Sequence, residues 1–139
     1  MYAICLKDEL WEAAKEEEMK IPWKNAHQEQ PVSEEQYQER FWRRRLDGVG
    51  VDTVTKEFLA IEFKRKQDVR SNYMEKATEA AQEQYKSLLT GLQAVGLVKG
   101  WKVQQVVFVG GTCGSVHAEL LHRNMKTLVV LKSKWDPIR

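Results

Sequence analysis

The chain has 139 residues, of which 42% are hydrophobic and 30% charged, with a formal net charge of +2. That length suits one domain around a single core; no apolar run reaches the roughly 18 residues of a membrane span, no basic segment with a following apolar stretch marks a secretory signal, and Cys5 and Cys113 make no disulfide framework, so an intracellular protein with no membrane partner is expected. The charge is unevenly placed: residues 1–39 hold ten acids against four lysines, whereas residues 40–139 hold eighteen bases against ten acids.

Residues 7–20 read as a helix with Leu10, Trp11, Ala14 and Glu18 on one side, and the polar stretch 22–31, with a proline at each end, reads as a linker. Residues 1–32 are thus expected to form an acidic N-terminal helix and linker, and residues 33–132 the core of a single domain spanning 1–139. Ser33 with Gln36 makes a capping-box start, and Tyr37 and Phe41 fall one turn apart, so a short helix runs to about Trp42. Residues 46–51 are β-branched at alternate positions and end at the turn-prone stretch 52–56. Residues 58–65 then alternate. Phe58, Ala60, Glu62 and Lys64 share one face of a strand, and Leu59, Ile61, Phe63 and Arg65 the other. If Asp52 and Glu57 close a four-residue loop, Val51 pairs with Phe58, Val49 with Ala60 and Asp47 with Glu62.

Asn72 with Glu75 opens a longer helix whose apolar positions Met74, Ala77, Ala81, Leu88, Leu92 and Val95 step by three, four or seven, with Gly96 just past its end. Residues 102–109 form a strand ended by Gly110 and Gly111, and residues 127–132 form another. A strand after the long helix pairs parallel to the Glu62 strand through a crossover. The expected fold class is α/β, with a small mixed sheet flanked by helices. No internal repeat or low-complexity tract is visible.

Directly opposed side chains on an antiparallel pair lie roughly 5 Å apart, so Asp47 and Glu62 repel each other unless a cation sits between them. Lys64 lies two residues beyond Glu62 on the same face. Two carboxylates and an ammonium in that arrangement are what a metal-dependent phosphodiesterase needs. Asp52 is the rival for the aspartate role, but this register puts it at the loop and on the other face, so Asp47 is preferred. Arg40, Arg43, Arg44, Arg45, Lys64, Arg65, Lys66 and Arg70 flank the hairpin. A basic rim suits a polyanion such as nucleic acid, whose phosphates Lys and Arg contact without reading sequence. The plainer reading is that they are solvated strand ends and loop residues.

Leu46-Asp47-Gly48, and Glu62-Phe63-Lys64 at the end of the apolar run Phe58-Leu59-Ala60-Ile61, resemble the PD-(D/E)XK nuclease superfamily, with Leu where that family has Pro. The Glu-X-Lys element alone is unspecific, since Glu18-Met19-Lys20 matches it inside a charged helical run. The resemblance implies a restriction-endonuclease-like core and a Mg²⁺- or Mn²⁺-dependent endonuclease that hydrolyses phosphodiester bonds in DNA, or in RNA. It implies metal ligation by Asp47, Glu62 and the Phe63 carbonyl, and catalysis by Asp47, Glu62 and Lys64. Nucleic acid would be bound by Arg43, Arg44, Arg45, Arg65, Lys66 and Arg70. A first-helix glutamate joins the site in such proteins, making Glu35 and Glu39 candidates beside the reading of a solvated helix face. The helix after the Glu-X-Lys strand offers Gln84, with Gln82 about 200° away around the helix and Tyr85 read as a core residue; Tyr73 is placed at the groove edge. The family's additional strand between its first helix and the aspartate strand has little room in residues 42–46.

Gly110-Gly111-Thr112-Cys113-Gly114-Ser115 lacks the Lys-Ser/Thr ending of a P-loop and reads better as a turn after a buried strand. Cys113 and His117 do not by themselves make a zinc site. Two other classes stay open: a catalytically inactive nucleic-acid-binding module of the same fold, and a protein-interaction domain that uses the acidic N-terminal segment. A homodimer or a place in a larger multidomain protein is compatible with either.

Overall fold

The computed structural model describes residues 7–21, 32–67 and 71–128. Arg70, the 22–31 linker and residues 129–132 of the expected last strand lie outside the described residues. The elements are α1 (Lys7–Lys20), α2 (Glu34–Trp42), β1 (Gly48–Asp52), β2 (Glu57–Lys66), α3 (Tyr73–Lys99), β3 (Lys102–Gly111) and α4 (Ala118–Thr127). The three strands form one mixed sheet in the order β1-β2-β3, antiparallel between β1 and β2 and parallel between β2 and β3. The parallel pairing follows from the helix α3 between β2 and β3, which gives the chain the length to return to the same end of the sheet.

The hairpin register is the expected one: Val49 faces Ala60, and Val51 faces Phe58. Asp52 fixes it chemically, its Oδ1 accepting from the amides of Val54 at 2.9 Å and Thr55 at 3.1 Å across the turn. β1 begins at Gly48 rather than Leu46, so Asp47 sits at a bend one residue ahead of the strand. Residues 43–47 hold no strand, and the family's additional strand is absent there.

Ser33 and Gln36 make both bonds of the capping box that opens α2. Asn72, expected to cap α3, stands at its N-terminus but makes no side-chain cap. Nor does α3 stop before Gly96. It continues to Lys99, and Gly100 (φ 75°) closes it, with Gly100 N donating to Leu97 O at 3.3 Å and Trp101 N to Gly96 O at 2.7 Å, the Schellman pattern. Gly96 serves packing instead: a Cβ there would lie 3.0 Å from Val103 Cγ2 and 3.2 Å from Trp101 O. Thr127 ends a helix, α4, where a strand was expected to begin. α4 escaped sequence reading because His117, not one of the preferred capping residues, opens it through Nδ1. Its buried Asn124 donates to Val107 O at 2.7 Å, fastening α4 to β3.

Two apolar clusters flank α3. On the sheet side Ala77 and Ala81 pack on Val107 and Val109. On the other side Trp11, Ala14 and Phe41 form the centre, with Leu10, Tyr37, Trp42 and Leu88 around them. Where α1 crosses α3 the backbones nearly touch, since a Cβ on Gly91 would stand 2.6 Å from the Leu10 carbonyl oxygen and 3.2 Å from Ala14 Cβ.

Beside this cluster lies a fully buried carboxylate, Glu18. Its oxygens accept from Arg40 Nε at 2.5 Å, from Arg44 Nη1 and from Ser87 Oγ at 2.5 Å, so α1, α2 with its following residues, and α3 all converge on one charge. Arg40 also donates to the carbonyls of Glu18 at 2.8 Å and Ile21 at 3.0 Å. Burial pushes the Glu18 pKa up, but the hydrogen bonds from Arg44, Ser87 and Arg40 and the Arg44 charge outweigh it and hold the pKa below the ordinary glutamate value.

Gly91→Ala gains about 1 kcal/mol of helix propensity but overpacks the α1–α3 crossing at a cost of about 1–3 kcal/mol; urea unfolding should show a net loss of stability, and a gain would mean that α1 does not dock there. Because the folded Glu18 pKa is depressed, its contribution is present above the unfolded carboxylate pKa of about 4.3 and is lost as pH falls through the folded value. Glu18→Gln should therefore cost about 3–5 kcal/mol at neutral pH, as expected when one partner of a buried pair is removed, and should flatten the acid limb of the stability profile. Parallel acid limbs in the two proteins would contradict this.

Candidate active site

β2 carries the centre of the site. Ala60, Glu62 and Lys64 alternate onto the face covered by α3, as shown by Lys64 reaching Gln84 and Tyr85 of that helix. Glu62 is 3% exposed. Its Oε1 pairs with Lys64 Nζ at 2.6 Å, while its Oε2 is buried with no hydrogen-bond partner. Lys64 Nζ also donates to Gln84 Oε1 at 2.8 Å and lies 5.9 Å from the centroid of the Tyr85 ring. The ammonium is thus oriented by a carboxylate, an amide oxygen and an aromatic face.

Asp47 reaches the same strand from the bend before β1: its Oδ2 accepts from the Phe63 amide at 2.7 Å. The chain just before it is tied to α3 twice, through Arg44 Nε to Gln84 O and through Tyr85 Oη to Arg45 O, each at 2.7 Å. The Tyr85 pKa is pushed up to about 12, first by burial, then by the Glu62 carboxylate, through its charge and its hydrogen-bonding approach to the hydroxyl, and then by the charge of Asp47, with Arg44 opposing. Both acids therefore act on one hydroxyl, with Lys64 paired to Glu62 and Arg44 as a second cation nearby. A buried carboxylate oxygen without a partner is costly, and oxygen donors of this kind suit a hard divalent ion. Among the described residues no group of three or more His, Cys, Asp and Glu could hold a metal. Mg²⁺ keeps several waters and is commonly held by one or two carboxylates, so Asp47 and Glu62 are the donors that could hold one.

The remaining candidates fall in several places. Phe63 joins the site by its amide, while its side chain is exposed and stacks on Phe108 with centroids 5.2 Å apart. Gln84 is at the site through Lys64. Arg43 and Arg45 are exposed, and Arg43 is paired with Glu39. Arg44 is turned inward onto Glu18 with its side chain 9% exposed, so it is a structural cation and leaves the basic rim. Arg65 and Lys66 are exposed at the end of β2. Glu35 is an exposed residue of the first α2 turn, its pKa lowered by its own amide and by Ser33, and neither it nor Glu39 bonds to the Glu62 group. Asp52 is spent on the hairpin turn, whose amides lower its pKa. Residues 112–114 form a turn, closed by Gly111 N to Ser115 O at 2.9 Å, and His117 Nδ1 caps α4, 3.4 Å from the Leu120 amide. Sequence reading gave Glu18 no role beyond one side of its helix. The cluster of arginines at the end of α2 and just beyond it, Arg40 and Arg44 among them, was the available signal for a buried acid opposite them.

No family model, curated protein or solved structure matches the chain. No described helix is long and apolar enough to cross a membrane.

A ligand that binds only the folded state stabilises it by about 2.7 kcal/mol at one hundred times its Kd, equivalent to roughly 5–10 °C for a domain of this size. Mg²⁺ or Mn²⁺ should raise Tm by that order, and the rise should shrink in Asp47→Ala and Glu62→Ala. Equal rises in all three proteins would place the metal elsewhere.

Proposed function

We propose that the chain is a divalent-metal-dependent nuclease that hydrolyses phosphodiester bonds, with DNA the preferred substrate class and RNA the second. The observation that carries this reading is Glu62: a buried carboxylate with one oxygen on Lys64 and the other without a partner, close enough to a hydroxyl that also feels Asp47. The arrangement agrees with the resemblance to the PD-(D/E)XK superfamily, in the α/β setting of a small mixed sheet flanked by helices.

Asp47 and Glu62 would hold Mg²⁺ or Mn²⁺ by their carboxylate oxygens. Such an ion, when bound, supplies Lewis acidity toward phosphoryl oxygens and a water of lowered pKa. The reaction adds a water oxygen to phosphorus and breaks the P–O bond to the leaving strand. Lys64 stabilises the charge that accumulates on the phosphoryl oxygens in the transition state, where an oriented ammonium in a partly dry site contributes most. Gln84 holds Lys64 in place, and the Phe63 amide holds the Asp47 carboxylate against β2. Arg43, Arg45, Arg65 and Lys66 supply phosphate contacts without sequence information.

The test is cleavage of supercoiled plasmid DNA with Mg²⁺ or Mn²⁺ against chelator. Asp47→Ala and Glu62→Ala should abolish turnover while DNA binding stays intact or tightens, because each removes negative charge beside the phosphate. Lys64→Ala should lower the rate by about 10²–10³-fold, the typical loss for one transition-state donor. Glu62→Gln, which keeps the side-chain volume, should be as inactive as Glu62→Ala. Cleavage that survives Asp47→Ala and Glu62→Ala together would contradict the assignment, whereas metal-independent DNA binding without cleavage would favour a catalytically inactive module.

A further inference from the structure

A second polar feature lies further along β2 from Glu62. A cavity of about 640 Å³ is lined by Arg65, Lys66, Asn72, Tyr73, Lys76 and Thr112, among others. Among the described residues its lining holds three cations and no carboxylate. Arg65, Lys66 and Lys76 make no ion pair among the described residues, unlike Lys15, Lys20, Lys86, Lys99 and Lys102, which all pair with glutamates. Three unneutralised cations around one hollow repel one another, and an anion removes that cost. The walls are held by the Thr112 amide on the Lys66 carbonyl at 2.9 Å and by a 2.6 Å hydrogen bond between the Tyr73 and Ser115 hydroxyls. The first turn of α3 begins at Tyr73 and has no side-chain cap from Asn72, so the positive end of a 27-residue helix adds to the same field.

We propose that this cavity is a phosphate-binding subsite for the nucleic-acid strand. The inference deepens the nuclease reading, on which it rests for the kind of phosphate that is bound. The ligand is a phosphate group rather than a carboxylate, because an Arg and two Lys disposed around a hollow match a tetrahedral group with several acceptor oxygens. Its position along the chain also fits. Lys66 lies two residues beyond Lys64, about 7 Å along a strand, and Lys76 lies eight residues before Gln84, about 12 Å along a helix. A nucleic-acid strand carries one phosphate per 3.4 Å of rise, so the cavity takes a phosphate about two to four nucleotides from the scissile bond. That phosphate is either the end of a strand or an internal diester, and both offer the same oxygens.

The experiment uses the full chain without divalent metal, so that no cleavage is needed to read it. Inorganic phosphate titrated into ¹⁵N-labelled protein should shift the amide signals of Lys66, Thr112 and residues 73–76. Short single-stranded oligonucleotides should bind about three- to tenfold more weakly to Lys76→Ala and Arg65→Ala, each with the salt slope reduced by roughly one, while Lys99→Ala, on the opposite end of α3, binds as wild type. If a 5′-phosphate on the oligonucleotide raises affinity in wild type and not in Lys76→Ala, the subsite takes a strand end. If it makes no difference and Lys76→Ala still weakens binding, the subsite takes an internal phosphate. The proposal is overturned if phosphate shifts no signal at the cavity, or if Lys76→Ala and Lys99→Ala bind alike. Phosphate binding there with no metal-dependent cleavage would sink the nuclease reading and leave the subsite standing.

Discussion

The buried carboxylate of Glu18 is the constraint on which the rest of the architecture depends. A glutamate removed from water is tolerable only if its charge is met by well-placed donors. Here Arg40, Arg44 and Ser87 supply them from α2, from the segment after it and from α3. Apolar packing of Trp11, Ala14 and Phe41 could be satisfied by many relative positions of three helices, whereas a charge with directed hydrogen bonds admits few. Its influence extends to the site. Arg44 spans Glu18 and the Gln84 carbonyl, and the Gln84 side chain receives Lys64. The next residue, Arg45, accepts from Tyr85, and two residues later comes Asp47. The approach of Asp47 to β2 is thus set from the helical side as much as by the hairpin.

The hairpin contributes the other half of the geometry. Side chains on a strand repeat every two residues, so a slip of one would send Glu62 and Lys64 away from α3. Asp52 guards against that slip by satisfying two turn amides with one oxygen. Once Glu62 is on the α3 face, burial forces it to find a cation, and Lys64 on the same face is the nearest. The remaining oxygen of Glu62 has no hydrogen-bond partner, and the charges of Asp47 and Arg44 act on the same Tyr85 hydroxyl as Glu62. On the proposed reading, a divalent cation completes this arrangement.

Much of this was legible in the sequence because the signals were local. Ser33 and Gln36 announce the start of α2, the alternation of residues 58–65 gives β2, and the loop length gives the pairing of Val49 with Ala60. What was not legible depends on partners distant in sequence. Gly96 looks like a helix stop until Trp101 and Val103 are seen pressing on it, and Gly100 does the stopping. Arg44 looks like a surface cation until Glu18, 26 residues earlier, is placed against it. α4 opens on His117 instead of a preferred capping residue, and it is anchored by the non-local bond from Asn124 to Val107. Gln84 carried only a resemblance-based suggestion, and its contact with Lys64 crosses twenty residues.

The central claim is that Asp47 and Glu62 jointly bind a divalent cation. Mn²⁺ titrated at substoichiometric amounts into ¹⁵N-labelled protein reports this directly, because a paramagnetic ion broadens the amides nearest to it. Broadening should centre on Asp47, Gly48, Glu62 and Phe63 and spread next to Tyr85. Broadening centred instead on the exposed acids of α1, such as Glu12 and Glu16, with the β2 amides unchanged, would contradict the account.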